Sequence, residues 1–154
     1  MAYKPHEQAK IDLAQRLARK AHDGQFDKAG RPYIEHPARV ATAVEAAGYG
    51  YQVVCAAWLH DVIEDTEWTA EALFNAGIPL TTVHAVVDLT RVPHQPPEDY
   101  YLQVKHSPIA LAVKEFDIAD NCDPERRAML DPKTAARLER KYAKARRLLG
   151  LETA

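Results

Sequence analysis

The run Trp58-Leu59-His60-Asp61-Val62-Ile63-Glu64-Asp65-Thr66 puts a histidine and three carboxylic acids into the most apolar part of the chain. Burying such groups is costly unless they are paired or hold a metal. On a helix His60 and Glu64 stand four residues apart, as do Asp61 and Asp65, so each pair shares a face. His60 and Asp61 could then reach one ion from neighbouring angles, with Glu64 and Asp65 a turn along to exchange protons with a water it holds. The same string also suits a helix end whose acids face water. A second cluster, Asp117, Asp120, Asn121 and Asp123, ends a segment whose Val113, Phe116 and Ala119 point to core packing. A third, Tyr33-Ile34-Glu35-His36-Pro37, sets a histidine at the mouth of a helix, where a capping or surface role is the alternative. Brought together, two histidines and two aspartates make a nitrogen and oxygen site suited to manganese, iron, cobalt or zinc.

Other chemistries lack their residues. There is no GxxxxGK[ST], no HExxH and no third glycine after Gly48 and Gly50, and the single serine, Ser107, falls where a helix cap is expected. Cys55 and Cys122 form no CxxC, so neither a disulfide framework nor a thiolate zinc site is expected, and Cys55 reads as core.

Helical spacing recurs along the chain and no stretch alternates with period two, so the expected class is all-α. Ala14, Leu17, Ala18 and Ala21 face one way in a first helix ending near Gly24, and Pro37 suits the first turn of a second, stopped by Gly48. Tyr51 to Val62 is apolar nearly all round and reads as one central buried helix. Thr69 and Thr81 can cap two further helices, the latter running to Leu89. Three prolines between Arg91 and Pro97 predict a loop. Helices then follow over 98–105, 109–121 and 132–149, with Ser107-Pro108 and Asp131-Pro132 as starts, and a turn at Asp123-Pro124.

The chain has 154 residues, 47% hydrophobic and 27% charged, with a net charge of −2, which is globular composition of one-domain length. Residues 1–154 are taken as a single domain. That charge balance argues against a general nucleic-acid binder. With no apolar run of membrane length and no leader-like start, a soluble cytoplasmic protein is expected. Oligomeric state stays open.

Four ordered segments, AHDGQFDKAGRPYIEHPARVA (21–41), AAWLHDVIEDT (56–66), LTR (89–91) followed by Tyr100 and Tyr101, and VKEFDIADN (113–121), resemble the hydrolase domain of the RelA/SpoT alarmone family within the HD phosphohydrolases. Together they span about residues 14–150. The resemblance implies an all-α HD-domain helical bundle with one buried divalent metal site, usually manganese, held by His36, His60, Asp61 and Asp117. Asp117 rather than Asp120 matches the family's metal aspartate. Glu64 and Asp65 match the acids credited with activating water. The implied reaction removes the 3′-pyrophosphate from the nucleotide (p)ppGpp, giving GDP or GTP and pyrophosphate. Lys28, Asn121 and Arg137 match substrate-binding positions. The length leaves no room for the family's synthetase domain, so the implied protein is a small alarmone hydrolase acting alone.

Two departures open alternatives. Asp27-Lys28 stands where the family commonly has a basic pair, the first near the base, and Ile118 stands where a basic residue often follows the aspartate. A carboxylate cannot replace a stacked guanidinium. The substrate could therefore be (p)ppApp, NADPH or a 5′-nucleotide, and a non-catalytic nucleotide-binding regulator is a further reading. Seven basic residues of the last helix, Lys133, Arg137, Arg140, Lys141, Lys144, Arg146 and Arg147, meet one acid, Glu139. His84 and His106 read as surface or structural residues.

Overall fold

The computed structural model describes residues 2–151, and ten helices account for nearly all regular structure there. In chain order they are α1 (Pro5–Ala21), α2 (Glu35–Ala46), α3 (Tyr51–Leu59), α4 (Val62–Asp65), α5 (Ala70–Asn75), α6 (Leu80–Asp88), α7 (Pro97–Lys105), α8 (Pro108–Asn121), α9 (Pro124–Arg127) and α10 (Pro132–Leu149). Among the described residues the only strand-like pairing is an isolated bridge between Phe26 and Pro32, so the chain is all-α.

Helix α3 is the axis. Its residues Val54 to Leu59 are all buried, and α1, α2, α6 and α8 pack around it. A helix apolar on every side has no face to give to water, so it takes the centre. The amphipathic helices cover it with one stripe each: Ile11, Ala14 and Ala18 from α1, Val40, Ala41 and Val44 from α2, Val83 and Val86 from α6. Helix α7 links α8 to α10, and α10 adds Ala145 and Leu149 to the core.

The expected capping chemistry holds at three starts. The side chains of Thr69, Ser107 and Asp131 accept from the amides of Ala72, Ala110 and Thr134, satisfying donors that the first turn leaves open. Gly150 ends α10 in the left-handed region at φ 73°, which a side chain would resist. Thr81, expected to cap α6, lies inside it instead. Pro79 occupies the cap position, and its fixed φ of −57° serves an extended entry. The turn expected at Asp123-Pro124 is a full short helix, α9. Ala119, expected inward, is exposed.

The expectation that fails with most consequence is one helix from Tyr51 to Val62. The helix stops at Leu59, and Asp61 adopts φ −105°, ψ 0° before α4 begins. The Ala57 carbonyl, which a continuing helix would offer to the Asp61 amide, accepts the Nδ1–H of His60 at 2.7 Å. Competition of this kind between a side chain and the helix ladder ends the helix. His60 and Glu64 therefore do not share a helical face, whereas Asp61 and Asp65 keep their one-turn relation, the Asp65 amide donating to the Asp61 carbonyl at 2.9 Å.

Candidate functional site

That break brings four side chains from three places to one point. His36 comes from the first turn of α2, His60 and Asp61 from the corner after α3, and Asp117 from the last turn of α8. His36 Nε2 lies 2.8 Å from Asp117 Oδ1, 3.3 Å from His60 Nε2 and 3.8 Å from Asp61 Oδ2. His60 Nε2 lies 3.1 Å from Asp61 Oδ2 and 3.5 Å from Asp117 Oδ1. Ligand atoms about 2.1 Å from a common ion would be about 3.0 Å apart in octahedral and about 3.4 Å apart in tetrahedral arrangement. The donor set, two imidazole nitrogens and two carboxylate oxygens, fits a divalent ion.

The protein's own charges point the same way. His36 is raised to about 8: burial alone would lower it, and hydrogen bonds to Asp117 and Asp120 outweigh burial. His60 is raised well above its ordinary value, burial being overcome by the charges of Asp61 and Asp117. Asp61 and Asp117 are held below the carboxylate range; burial opposes this, and is outweighed by His60 for the first and by Lys114 for the second. Four inward groups therefore hold together through protons, which an ion replaces on binding.

Each of these four side chains is braced by a neighbour. His36 Nδ1 donates to Asp120 Oδ2 at 2.6 Å and His60 Nδ1 to the Ala57 carbonyl, leaving both Nε2 atoms inward. Tyr33 donates its hydroxyl to Asp61 Oδ2 at 2.5 Å. Lys114 donates to Asp117 Oδ2 at 3.0 Å and Asn121 to Asp117 Oδ1 at 3.1 Å. At the end of α1, buried His22 pairs with Gln25 at 2.9 Å, and Gln25 donates to the Asp65 carbonyl at 3.0 Å.

Glu64 and Asp65 stand on the open side. One oxygen each from Asp61, Glu64 and Asp65 falls within 4.8 Å of the others. Glu64 Oε1 accepts from the Arg91 amide at 2.6 Å. Asp65 is pushed up to about 6, by partial desolvation first and then by the negative Asp61 and Glu64 beside it. A carboxyl that titrates there can both take and return a proton near neutral pH.

These groups form the inner end of a cleft of about 740 Å³. Lys28, Arg91, Lys114, Arg126, Arg127 and Lys141 bring positive charge to it, and Tyr33, Tyr100, Tyr101 and Tyr142 bring aromatic surface. Phe26 stands in its lining with 68% of its surface exposed.

Of the residues expected from sequence, His36, Asp61, Asp117, Glu64, Asp65, Lys28 and Asn121 all line the cleft, and His60 sits buried behind them. Arg137 is the departure. The stripe that α10 turns to the cleft is Leu138, Lys141 and Tyr142, whereas Arg137 on its flank is exposed and outside the lining. Tyr33 touches Asp61 directly. Arg91, Arg126, Arg127 and Lys141 had no assigned role. Lys114 carried a readable signal, a lysine in an apolar stretch three residues before Asp117, on the same helical face. His84 and His106 are exposed, and Cys55 is buried in the core.

The sequence pattern of the HD domain family matches residues 14–106, which include every inner residue except those of α8. Over 65 residues the chain is 51% identical to a guanosine-3′,5′-bis(diphosphate) 3′-pyrophosphohydrolase of Haemophilus influenzae, covering 40% of this chain and 10% of that protein. Over 80 residues it is 42% identical to the bifunctional (p)ppGpp synthase/hydrolase SpoT of Escherichia coli, covering 49% of this chain and 11% of that protein. The chain thus matches about a tenth of the length of these curated relatives. A solved structure of a metazoan ortholog of SpoT, described as hydrolyzing ppGpp, superposes with a TM-score of 0.66 at 25% identity, covering 99% of this chain and 100% of that one.

Proposed function

Because the chain belongs to the HD domain family, we propose that it is a metal-dependent phosphohydrolase that removes the 3′-pyrophosphate from ppGpp-type nucleotides, and that residues 14–150 carry this activity as one domain. The observation that carries the reading is the convergence of His36, His60, Asp61 and Asp117 at the inner end of a cationic cleft, with two acids on its open side. The names of its relatives and of its structural neighbour agree with that chemistry. The cleft's volume lies within the range typical of small-molecule sites.

The four residues would hold one divalent cation, manganese being our choice for a nitrogen and oxygen site. Bound there, such an ion supplies a Lewis acid that acidifies water and offsets charge on a phosphoryl oxygen. The side chains supply the rest. Asp65, titrating near neutrality, accepts the proton of the attacking water, and Glu64, anchored by the Arg91 amide, orients that water. Lys28, Arg126, Arg127 and Lys141 neutralise the phosphates, and Asn121 steadies Asp117 while facing the cleft. The products are the nucleoside 5′-diphosphate or 5′-triphosphate with a free 3′-hydroxyl, and pyrophosphate.

A broader base preference is favoured by Asp27. Its Oδ1 accepts from the Ala29 and Arg31 amides, both at 2.9 Å, so this carboxylate braces the loop. The group the loop leaves open to a base is the ring of Phe26, and stacking on an aromatic face tolerates any purine. Hydrolysis of ppApp alongside ppGpp follows.

The test is incubation of the purified chain and Mn²⁺ with ppGpp, ppApp and NADPH in parallel, following pyrophosphate and phosphate separately. Pyrophosphate from ppGpp, lost in His60→Ala, is the expected result. Phosphate from NADPH alone would replace this reading with a phosphatase, and binding without turnover would replace it with a regulatory module.

A further inference from the structure

The two imidazoles of the inner site are held by different means. His60 uses a carbonyl of its own helix, three residues away. His36 is gripped at both ring nitrogens by α8: Asp117 Oδ1 faces Nε2 at 2.8 Å, and Asp120 Oδ2 accepts from Nδ1 at 2.6 Å. Residues 117 and 120 are three apart, so one helical face carries both carboxylates. Asp120 is in turn clasped from two sides. Arg39, three residues after His36 on α2, donates through Nε to Oδ1 at 2.9 Å and through a terminal nitrogen to Oδ2 at 3.2 Å. Arg126 of α9 reaches Oδ1 at 2.8 Å and also donates to the Asp120 backbone carbonyl. Asp120 is half-buried, and Arg126 lines the cleft.

We propose that Asp120, clamped by Arg39 and Arg126, is a positioning residue for the metal centre. It keeps the proton of His36 on Nδ1 and the Nε2 lone pair aimed at the point where His60, Asp61 and Asp117 meet. The inference rests on the metal reading above. A carboxylate behind a histidine ligand fixes its tautomer and ring plane and makes its other nitrogen a better donor. The two guanidiniums serve a distinct purpose. They balance the charge of Asp120, so that a third carboxylate beside Asp61 and Asp117 does not add to their repulsion, and their planar donor arrays fix its orientation. Because Arg126 also faces the cleft, the clamp joins the back of His36 to the wall against which phosphates would lie.

The experiment titrates the chelator-stripped full chain with Mn²⁺ and Co²⁺ by calorimetry, for wild type, Asp120→Ala, Asp120→Asn and Asp123→Ala. Asp123 is the other carboxylate on Arg126, at 2.9 Å, and serves as the control. Loss of such an outer partner typically weakens metal binding about 10–100-fold. Asp120→Ala is expected in that range, Asp120→Asn less, since its amide oxygen still accepts, and Asp123→Ala within about two-fold of wild type. The Co²⁺ visible spectrum, which reads ligand geometry, should change in both Asp120 variants and not in Asp123→Ala. Wild-type affinity and spectrum in a folded Asp120→Ala, or in Asp120→Asn should the alanine variant not fold, would overturn the proposal. A wild-type chain that binds neither ion would instead overturn the metal reading beneath it.

Discussion

At the inner end of the cleft, His36, His60 and Asp117 each carry a further hydrogen bond on the side away from their meeting point, and Asp61 accepts one from Tyr33 on its inward oxygen. At the rim, Lys28, Phe26 and Arg91 are exposed side chains set on loops. The inner groups are fixed because every alternative position would leave a buried polar atom unpaired, which costs about 1–3 kcal/mol per group. The rim groups can rearrange in water at little cost. Under the proposed function the contrast puts chemistry at the inner end and selectivity at the rim, so that a nucleotide preference could change without disturbing the four inner residues.

The largest expected effect is at Asp117. Asp117→Ala should remove bound metal, measured by elemental analysis, and lower kcat/KM at least about 10³-fold. It also leaves Lys114, half-buried in the cleft wall, without its anion, which should lower stability. Normal metal content in that variant would break the inner half of the comparison. Next come the acids that face water. Glu64→Gln and Asp65→Asn should each reduce kcat by about 10²–10⁴ with metal retained, the usual share of a proton-transfer group. An unchanged kcat in Asp65→Asn would remove its assigned role.

The pH dependence of the chelator-stripped protein tests the proton-held inner cluster. Asp61 and Asp117 are lowered, so their stabilisation is present above about pH 4 and fades as pH falls through their folded values. His36 is raised to about 8 and His60 well above its ordinary value, so their stabilisation is full below about pH 6.5 and fades as pH rises, for His36 through about 8. The Tm should therefore be highest between about pH 4 and 6.5. Added Mn²⁺ should abolish the alkaline decline, because ions bind the neutral imidazoles. A Tm that climbs from pH 7 to 9 without metal would contradict the proton-held arrangement.

Smaller effects belong to the rim. Lys28→Ala should raise KM about ten-fold at nearly constant kcat, the sign of binding lost equally in ground and transition states. Phe26→Ala should raise KM for ppGpp and ppApp by a similar few-fold factor, since stacking contributes about 1–3 kcal/mol per base. A loss for one base alone would show that Phe26 discriminates rather than merely supports. Arg137→Ala should leave both constants within about two-fold, sharpening the boundary that α10 draws at Leu138, Lys141 and Tyr142.

Local chemistry is what the amino-acid order determined by itself. Ser107-Pro108 and Asp131-Pro132 start helices because a cap oxygen and a fixed φ act within one turn, whatever surrounds them. The apolar Tyr51–Leu59 stretch had to be central, and His60-Asp61 and Glu64-Asp65 stood out because ionisable groups among apolar ones need a reason, whereas His36 and the choice of Asp117 over Asp120 came from the family resemblance alone. Only the tertiary structure decided how they meet. Within the break after Leu59, His60 trades a helix bond for an imidazole bond, and the resulting corner, not a continuous helical face, turns Asp61 toward His36 and Asp117. Asp120 and Arg39 lie 81 residues apart, and Arg126 reaches both the clamp and the cleft from a helix that looked like a turn. Such contacts depend on how α2, α8 and α9 pack, and periodicity along the chain records which face a residue takes but not which partner it finds there.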